Sequence, residues 1–258
     1  MRSVFFYIIL FFSTMILGIA CVIGSFVSRG WPTLMARTWG NINLWASGVK
    51  VDVRGLENIN KLGPYIFVSN HQGWFDIFAA LGKLPLPFSW LAKEELFKIP
   101  VLGHAMYRAG YIPIDRKDRR KALAGMNRAA EVIQLGTSVF VFPEGTRSAD
   151  GVIRNFKKGV FVLALKARQP IVPVSISGSY RILPKDSWTI HPGEIRFSIG
   201  NPIQTAGINS LGRDLLIEQV RQAIRANLTF DEAGDDSKVE PEIDKAELQD
   251  GGSVCRDG

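Results

Sequence analysis

The chain opens with a long apolar stretch. Ser3 to Ser28 contains 26 consecutive uncharged residues, rich in Phe, Ile, Leu and Val. A helix of that length spans roughly 39 Å, against about 30 Å of bilayer hydrocarbon. We predict a retained membrane segment that either crosses the bilayer with tilt or enters it and turns back. The alternative is a cleaved signal peptide, whose apolar stretch is usually about 7–15 residues long.

The next stretch has the pattern of a helix that is apolar on one face. Three of the six Trp residues of the chain lie in it. Trp is favoured at lipid headgroups because its ring is apolar while its N–H stays hydrated. We predict an interfacial helix that, with the first segment, clamps the chain to a bilayer. The alternative is an ordinary core helix. The apolar residues recur every three to four positions, at Trp31, Leu34, Met35, Trp39, Ile42 and Trp45.

The middle of the chain alternates short β-branched or aromatic runs with helical patterns. The runs predict strands at 65–69, 111–114, 139–142, 171–174 and 195–199. Apolar residues at helical spacing predict helices at about 74–81, around 123–133, after Gly159, and at about 211–228. This alternation predicts an α/β fold, with a mixed, largely parallel sheet covered by helices and an N-terminal membrane-associated helical segment.

Charge divides the chain unevenly. Its apolar fraction of 47% and charged fraction of 21% are ordinary for a globular protein. The net charge of +7 combines an acidic end, with ten acidic and three basic residues in 231–258, and a body of +14 in 1–230. We predict membrane-anchoring helices at 1–50, an α/β domain at 51–230 and a disordered acidic tail at 231–258. A basic body suits nucleic acid, an anionic membrane surface or an anionic substrate.

The distribution of basic residues also predicts a location. Only Arg2 precedes the apolar segment, whereas four basic residues follow it closely: Arg29, Arg37, Lys50 and Arg54. The positive-inside rule then places the body of the chain at the cytoplasmic face of the cell inner membrane. Cys21 in the apolar segment and Cys255 in the tail do not form a disulfide framework, as expected in a reducing compartment.

The first candidate site is the run Ser-Asn-His-Gln-Gly-Trp-Phe-Asp at 69–76, just past a predicted strand. Open α/β sheets bind ligands at such strand ends. His71 and Asp76 cannot meet on one unbroken helix, so we predict His71 in the preceding turn, a bend at Gly73, and Asp76 in the first helical turn. Asp76 would fix the imidazole tautomer and leave the other nitrogen free as a base. The alternative is a capping Asn70 and a surface histidine without a role.

Two further strand ends carry arginine. In the run from Phe142 to Ser148, a glycine turn brings backbone N–H groups together with Thr146 and Arg147, which suits a phosphate. Glu144 would hold Arg147 or contact a substrate hydroxyl. The run from Gly110 to Arg116 also ends in a basic residue. The alternatives are a polar strand-to-helix turn in the first case and a solvated helix start in the second.

Other common chemistries have no motif here. The chain contains no Gly-x-Ser-x-Gly nucleophile elbow, no phosphate loop and no dinucleotide glycine fingerprint. His71, His104 and His191 lack the spacing of zinc ligands, so no metal site is predicted. A His–Asp pair without its own nucleophile would have to activate a hydroxyl or water brought by the substrate.

Four segments in this order resemble the glycerolipid acyltransferase family, and within it the 1-acylglycerol-3-phosphate (lysophosphatidic acid) acyltransferases. Asn70, His71 and Asp76 match the family's Asn-His-x4-Asp pattern. The runs at 110–116, 142–148 and 171–174 look like its second, third and fourth blocks, and Lys93 lies in a segment similar to its Lys-x-Glu-Leu. The resemblance covers about residues 60–205. Gly73 stands where family members often have Ser.

The resemblance implies transfer of a fatty acyl chain from a thioester, either acyl-CoA or acyl carrier protein, to the sn-2 hydroxyl of lysophosphatidic acid, giving phosphatidic acid. The thioester is a co-substrate, and no cofactor is expected. His71 would be the general base and Asp76 would orient it. The residues implied in substrate binding are Arg116, Glu144, Gly145, Thr146, Arg147 and Lys93.

The expected partners are the lysophospholipid, the acyl thioester with its carrier, and a membrane containing anionic lipids. Two alternatives stay open: an acyltransferase for another lysolipid, and a non-catalytic, membrane-anchored protein that binds anionic lipid. A nucleic-acid partner is not expected, because nothing here resembles a recognition helix or a stacking platform.

Overall fold

The structure is a computed structural model that describes residues 1–60, 63–115, 117–184 and 186–234. Within these ranges the strands are β1 (Lys50–Arg54), β2 (Ile66–Ser69), β3 (Phe88–Lys93), β4 (Ile112–Ile114), β5 (Ser138–Val141), β6 (Ile171–Ser177) and β7 (Glu194–Ile199). The helices are α1 (Arg2–Gly24), α2 (Trp31–Ser47), α3 (Phe75–Lys83), α4 (Leu102–Arg108), α5 (Arg119–Gln134), α6 (Lys158–Ala167), α7 (Ser179–Ile182), α8 (Arg213–Arg225) and α9 (Phe230–Ala233).

The seven strands within the described residues form one sheet, in the order β1-β7-β6-β2-β5-β3-β4. All neighbours pair in parallel except β6 and β7, which are antiparallel. The predicted α/β class, with a mixed and largely parallel sheet, is therefore confirmed. The central strand is β2, and the segment that carries His71 leaves its carboxyl end.

Each face of the sheet is covered by its own hydrophobic core, and the alternation along the strands decides which side chains enter it. Phe67 of β2 and Phe140 of β5 point into the core that also contains residues of α1, α2 and α3. Val68 and Val141 point into the opposite core, which contains residues of α5, α6 and α8. Burial on both faces explains the continuous apolar runs of these strands.

Two strands were not predicted. The edge strand β1 has the sequence Lys-Val-Asp-Val-Arg, in which charged residues alternate with valine, and it pairs with β7. β3, between Pro87 and a short 3₁₀ turn at Glu94–Lys98, mixes aromatic, small and polar residues. The other five strands and the predicted helices, including the one-sided helix now seen as α2, are present with boundaries within a few residues.

The helices α1 and α2 lie on the α/β body. Phe6 of α1 packs on Phe75 and Phe78 of α3, with ring centroids 5.6 and 6.1 Å apart. Near the other end of α1, the Cys21 thiol donates to the carbonyl of Ala105 in α4, at 3.7 Å. Among the described residues, α1 alone is long and apolar enough to cross a membrane, by length and composition. Its uncovered face is a stripe of exposed apolar side chains, Val4, Phe5, Ile8, Phe11, Phe12, Ile16, Ile19 and Ile23.

The C-terminal boundary differs from the prediction. A disordered tail was expected from Asp231, but Phe230–Ala233 forms α9 and the side chain of Glu232 is buried. The prediction is therefore wrong for 231–234, because the acidic composition concealed a carboxylate with several hydrogen-bond donors around it. Residues 235–258, including Cys255, lie outside the described residues.

Candidate active site

The candidate active site lies at the carboxyl edge of the sheet. β2 and β5 are parallel neighbours, with Val68 opposite Val141, so the segments that follow them start side by side. The first segment carries His71 and Asp76, and the second carries Glu144 to Arg147. Two predicted motifs separated by about seventy residues of chain are thus brought together by strand pairing.

The turn between β2 and α3 has the predicted geometry. His71 Nδ1 lies 2.7 Å from Asp76 Oδ2. The same oxygen accepts hydrogen bonds from the backbone N–H groups of Gln72, at 2.7 Å, and Gly73, at 2.9 Å. Asp76 is in the first turn of α3 and fully buried. Because its carboxylate accepts from both the turn and the ring, Asp76 holds the backbone and the imidazole in one arrangement.

The imidazole of His71 is also fixed from the side. Its ring stacks on the ring of Phe142, with centroids 3.9 Å apart and planes 10° from parallel. The His71 side chain is 15% exposed. No described residue hydrogen-bonds its Nε2, so this nitrogen is open to a ligand. A neutral imidazole that donates from Nδ1 to Asp76 would carry its free lone pair on Nε2.

The first and third motifs are joined through the backbone of His71. Its N–H donates to Glu144 Oε1 at 2.9 Å, and its carbonyl accepts from the N–H of Ser148 at 2.8 Å. Asn70 extends this connection to β6, because its side-chain amide donates to the carbonyl of Ile176 and accepts from its N–H. The histidine is therefore held at its backbone, its Nδ1 and its ring face.

Glu144 faces the protein interior. Its side chain is 4% exposed, and Oε2 has no hydrogen-bond partner among the described residues. Burial raises the pKa of Glu144 to about 8, against the opposing effect of hydrogen bonds from the backbone of His71 and Arg154. Of the roles considered from the sequence, shaping the loop agrees with this position, whereas a salt bridge to Arg147 is not formed.

The cationic side chains line the loop that follows β5. The Arg147 guanidinium carbon lies 5.5 Å from the ring centroid of Trp74, which comes from the first motif. Gly145 has a φ of +74°, which favours glycine, and Thr146 is exposed. A Cβ at Gly145 would lie 3.2 Å from Lys157 Nζ, so the Lys157 side chain passes directly over this turn.

Three residues near the site were not predicted from the sequence. Lys157 and Trp74 lie beside the turn of Gly145 and Arg147. Gln72 donates from its side-chain amide to the carbonyl of Gly151 at 2.8 Å. The only sequence signal was indirect: Trp74 and Gln72 belong to the first motif, and Lys157 precedes a helix. Their contacts depend on the tertiary fold.

The remaining predicted residues lie at different distances from this centre. Lys93 ends β3, the next strand beyond β5, and its ammonium pairs with Glu95 at 3.2 Å on an exposed surface. Arg116 lies outside the described residues, and its role stays a prediction. Within the described ranges, no group of three or more His, Cys, Asp or Glu side chains could hold a metal ion.

Comparison with known proteins gives related sequences and a related fold. A model of the acyltransferase family matches residues 50–177. The chain is 36% identical over 204 residues to a chloroplastic 1-acyl-sn-glycerol-3-phosphate acyltransferase of Brassica napus, covering 78% of this chain and 57% of that protein. It is 34% identical over 178 residues to the alpha form of 1-acyl-sn-glycerol-3-phosphate acyltransferase of Homo sapiens, covering 69% of this chain and 63% of the human protein.

A solved structure extends the comparison to the whole fold. The crystal structure of the 1-acyl-sn-glycerophosphate (LPA) acyltransferase PlsC from Thermotoga maritima superposes with a TM-score of 0.77 at 30% identity, covering 86% of this chain and 91% of that one. The chain spans 57% to 65% of the length of the first curated relatives it matches.

Proposed function

This chain belongs to the acyltransferase family, and we propose that it transfers a fatty acyl chain from a thioester, acyl-CoA or acyl carrier protein, to the sn-2 hydroxyl of lysophosphatidic acid, giving phosphatidic acid. The observation that carries this proposal is the His71–Asp76 pair, with Nδ1 engaged and Nε2 open, beside a loop of cationic side chains. The related proteins named above carry the same activity in their names.

In the proposed reaction, Nε2 of His71 removes the proton of the acceptor hydroxyl while its oxygen attacks the thioester carbonyl carbon. The tetrahedral intermediate then expels the thiolate, and the proton on Nε2 passes to the departing sulfur. Asp76 stabilises the transient imidazolium through its 2.7 Å contact with Nδ1. Phe142 restricts rotation of the ring by stacking on it. The acyl group passes directly between substrates, so no acyl-enzyme forms.

We further propose that the loop after β5 binds the acceptor phosphate. Arg147 and Thr146 supply a guanidinium and a hydroxyl, and the backbone at Gly145 turns between them and the buried Glu144. Lys157 adds an ammonium over the same turn, and it forms no ion pair with any described carboxylate. Two cations at one glycine turn suit a phosphate, which offers several oxygens. Arg116 and Lys93 remain further candidates for the same ligand.

We also propose attachment to the cytoplasmic face of the cell membrane through α1 and α2. The exposed stripe of α1 is apolar along the helix, while its other side packs on the body of the protein from Phe6 to Cys21. A helix that contacts the body along its length favours lying in one leaflet over crossing the bilayer as a separate element. The acidic headgroups of that leaflet would attract the basic body.

The experiment is an acyl-transfer assay on the purified chain, with lysophosphatidic acid and other lysolipids, each offered with both kinds of thioester. We expect turnover with lysophosphatidic acid and its loss in His71→Ala, with folding and vesicle binding retained. His104→Ala, at an exposed position of α4, is the matched control. Wild-type turnover in the His71 variant would contradict the role of His71. Vesicle binding without any transfer would favour a non-catalytic lipid-binding protein.

A further inference from the structure

The last described segment of the chain, Thr229–Gly234, crosses the carboxyl edge of the sheet near the candidate site. We call it the C-terminal strap; it contains α9. It lies outside the region that the family model matches, which ends at residue 177. The strap has no part in the proposed reaction. It contains one buried carboxylate, which is 6% exposed.

That carboxylate, Glu232, accepts hydrogen bonds from several donors at the end of β6. Oε1 accepts from the backbone N–H of Gly178 at 2.7 Å, and Oε2 accepts from the hydroxyl of Ser177. Within the strap, the hydroxyl of Thr229 donates to Oε2 at 2.7 Å. Burial raises the pKa of Glu232, but these hydrogen bonds outweigh it, so the pKa lies below its ordinary value. The strap is therefore fastened to β6 by an ionised side chain.

The strap also holds the loop that follows the third motif. The backbone carbonyl of Glu232 accepts from the N–H of Ile153 at 2.9 Å. The carbonyl of Gly234 is fixed by Arg225 of α8, at 2.7 Å. A Cβ at Gly234 would lie 2.7 Å from the side chain of Val152, so the strap and the loop are in direct contact.

The same loop is held from its other side by the first motif. The N–H of Ser148 donates to the carbonyl of His71 at 2.8 Å, and the carbonyl of Gly151 accepts from the side chain of Gln72 at 2.8 Å. Gln72 in turn accepts from the hydroxyl of Ser179, at 3.4 Å, directly after the strand end that Glu232 holds. The loop between Arg147 and Lys157 is also held within the segment after β5, because the N–H of Lys157 donates to the carbonyl of Pro143 at 2.9 Å and the backbone of Arg154 hydrogen-bonds Glu144. The strap supplies the support at Ile153.

We propose that Glu232 is a positioning residue for the acceptor: through Ile153 and the end of β6 it fixes the loop whose two ends carry Arg147 and Lys157. This inference rests on the proposed function, in which those two side chains bind the acceptor phosphate. Without the strap, the loop would keep its contacts with His71, Gln72, Glu144 and Pro143 but lose its support at Ile153. The middle of the loop would then move more freely, and the two cations at its ends would be held less rigidly relative to each other.

The test compares Glu232→Ala and Glu232→Gln with Asp231→Asn in the full chain. Asp231 is the neighbouring carboxylate, exposed and paired with Arg181 across 3.5 Å, and serves as the matched control. We expect the Glu232 variants to raise the KM for lysophosphatidic acid about tenfold, which is the effect of weakening one hydrogen bond between a loop cation and the acceptor phosphate. The KM for the acyl thioester and the kcat should stay near wild-type values. The control variant should resemble wild type in all three.

Hydrogen exchange provides a readout that does not depend on activity. In Glu232→Ala we expect faster amide exchange in peptides covering 149–156, with unchanged protection of β2 and β5. An unchanged acceptor KM, or a fall in kcat with both KM values unchanged, would overturn the inference. If wild type showed no transfer at all, the proposed function would fail instead, and unchanged exchange in 149–156 would separately overturn the positioning role.

Discussion

The buried carboxyl of Glu144 makes stability depend on pH in a direction that can be measured. Its pKa is about 8 in the folded chain, against an ordinary value of 4.5, because burial disfavours the ionised form. Below pH 4.5 the carboxyl is protonated in both the folded and the unfolded chain, so its ionisation does not affect the free energy of unfolding. Above that pH, the unfolded chain gains stability by ionising while the folded chain does not, so the free energy of unfolding falls until the pH reaches about 8.

The magnitude follows from the separation of the two pKa values. A difference of about 3.5 corresponds to about 5 kcal/mol over the whole window, of which about 3 kcal/mol has been lost by pH 7. Glu144→Gln removes the ionisation but keeps a neutral acceptor for the N–H of His71. We therefore expect this variant to be more stable than wild type by about 3 kcal/mol at pH 7, and equal to it near pH 4.

The assay is urea unfolding of both chains in the same detergent, followed by circular dichroism at intervals from pH 4 to pH 9. Glu131→Gln, at an exposed position of α5, is the matched control and should leave the pH dependence of wild type unchanged. Parallel curves for wild type and Glu144→Gln would contradict a raised pKa of Glu144, because they would mean that its carboxyl ionises in the folded chain as it does in the unfolded one. Acyl transfer at pH 7 should be retained in the variant, since the contact with His71 is retained.

Two further predictions concern binding. Lys157→Ala should raise the KM for lysophosphatidic acid about tenfold, because a charged contact with the phosphate is lost. Lys166→Ala, at the other end of α6, is the control and should leave this KM unchanged. The same KM in Lys157→Ala and wild type would remove Lys157 from the phosphate site. Replacing Phe12 and Ile16 together by Ser should weaken binding to anionic vesicles about 100-fold, because less apolar surface is buried in lipid. Leu215→Ser on α8 is the control and should leave binding unchanged. Binding is measured by sedimentation with vesicles, and retained binding in the double variant would place the membrane contact elsewhere.

The sequence predicted the parts of this molecule whose signals are local. Apolar runs located β2, β5 and β6, because strands buried on both faces need largely apolar residues. β7 was also predicted, although Glu194 and Arg196 in it are exposed. Motif spacing predicted the turn at Gly73 and the contact of His71 with Asp76. The edge strand β1 was not predicted, because its charged residues alternate with Val51 and Val53 and interrupt the apolar run. An edge strand tolerates such charges and still pairs with its neighbour, here β7.

Contacts that depend on tertiary structure could not be predicted in this way. The hydrogen bond from the His71 backbone to Glu144, and the passage of Lys157 over Gly145, join residues that neither periodicity nor spacing connects. The prediction of a disordered tail at Glu232 was wrong because the local composition was misleading. Residues 231–258 contain ten acidic residues and few large apolar ones, which is typical of a disordered tail. The donors at Ser177, Gly178 and Thr229 make the burial of Glu232 favourable.

The dependence of His71 on distant segments bears on how the site works. A general base acts efficiently when its geometry is fixed before the substrate arrives. Here the ring is held by Asp76 and Phe142, and the backbone by Glu144 and Ser148, so three of the four supports come from the segment after β5. That same segment carries the cations proposed to bind phosphate. The proposed base and the proposed phosphate site are thus parts of one hydrogen-bonded unit, and a shift of the loop would move both. In the proposed reaction, placement of the acceptor hydroxyl against Nε2 would therefore depend on the pairing of β2 with β5 as much as on His71 and Asp76.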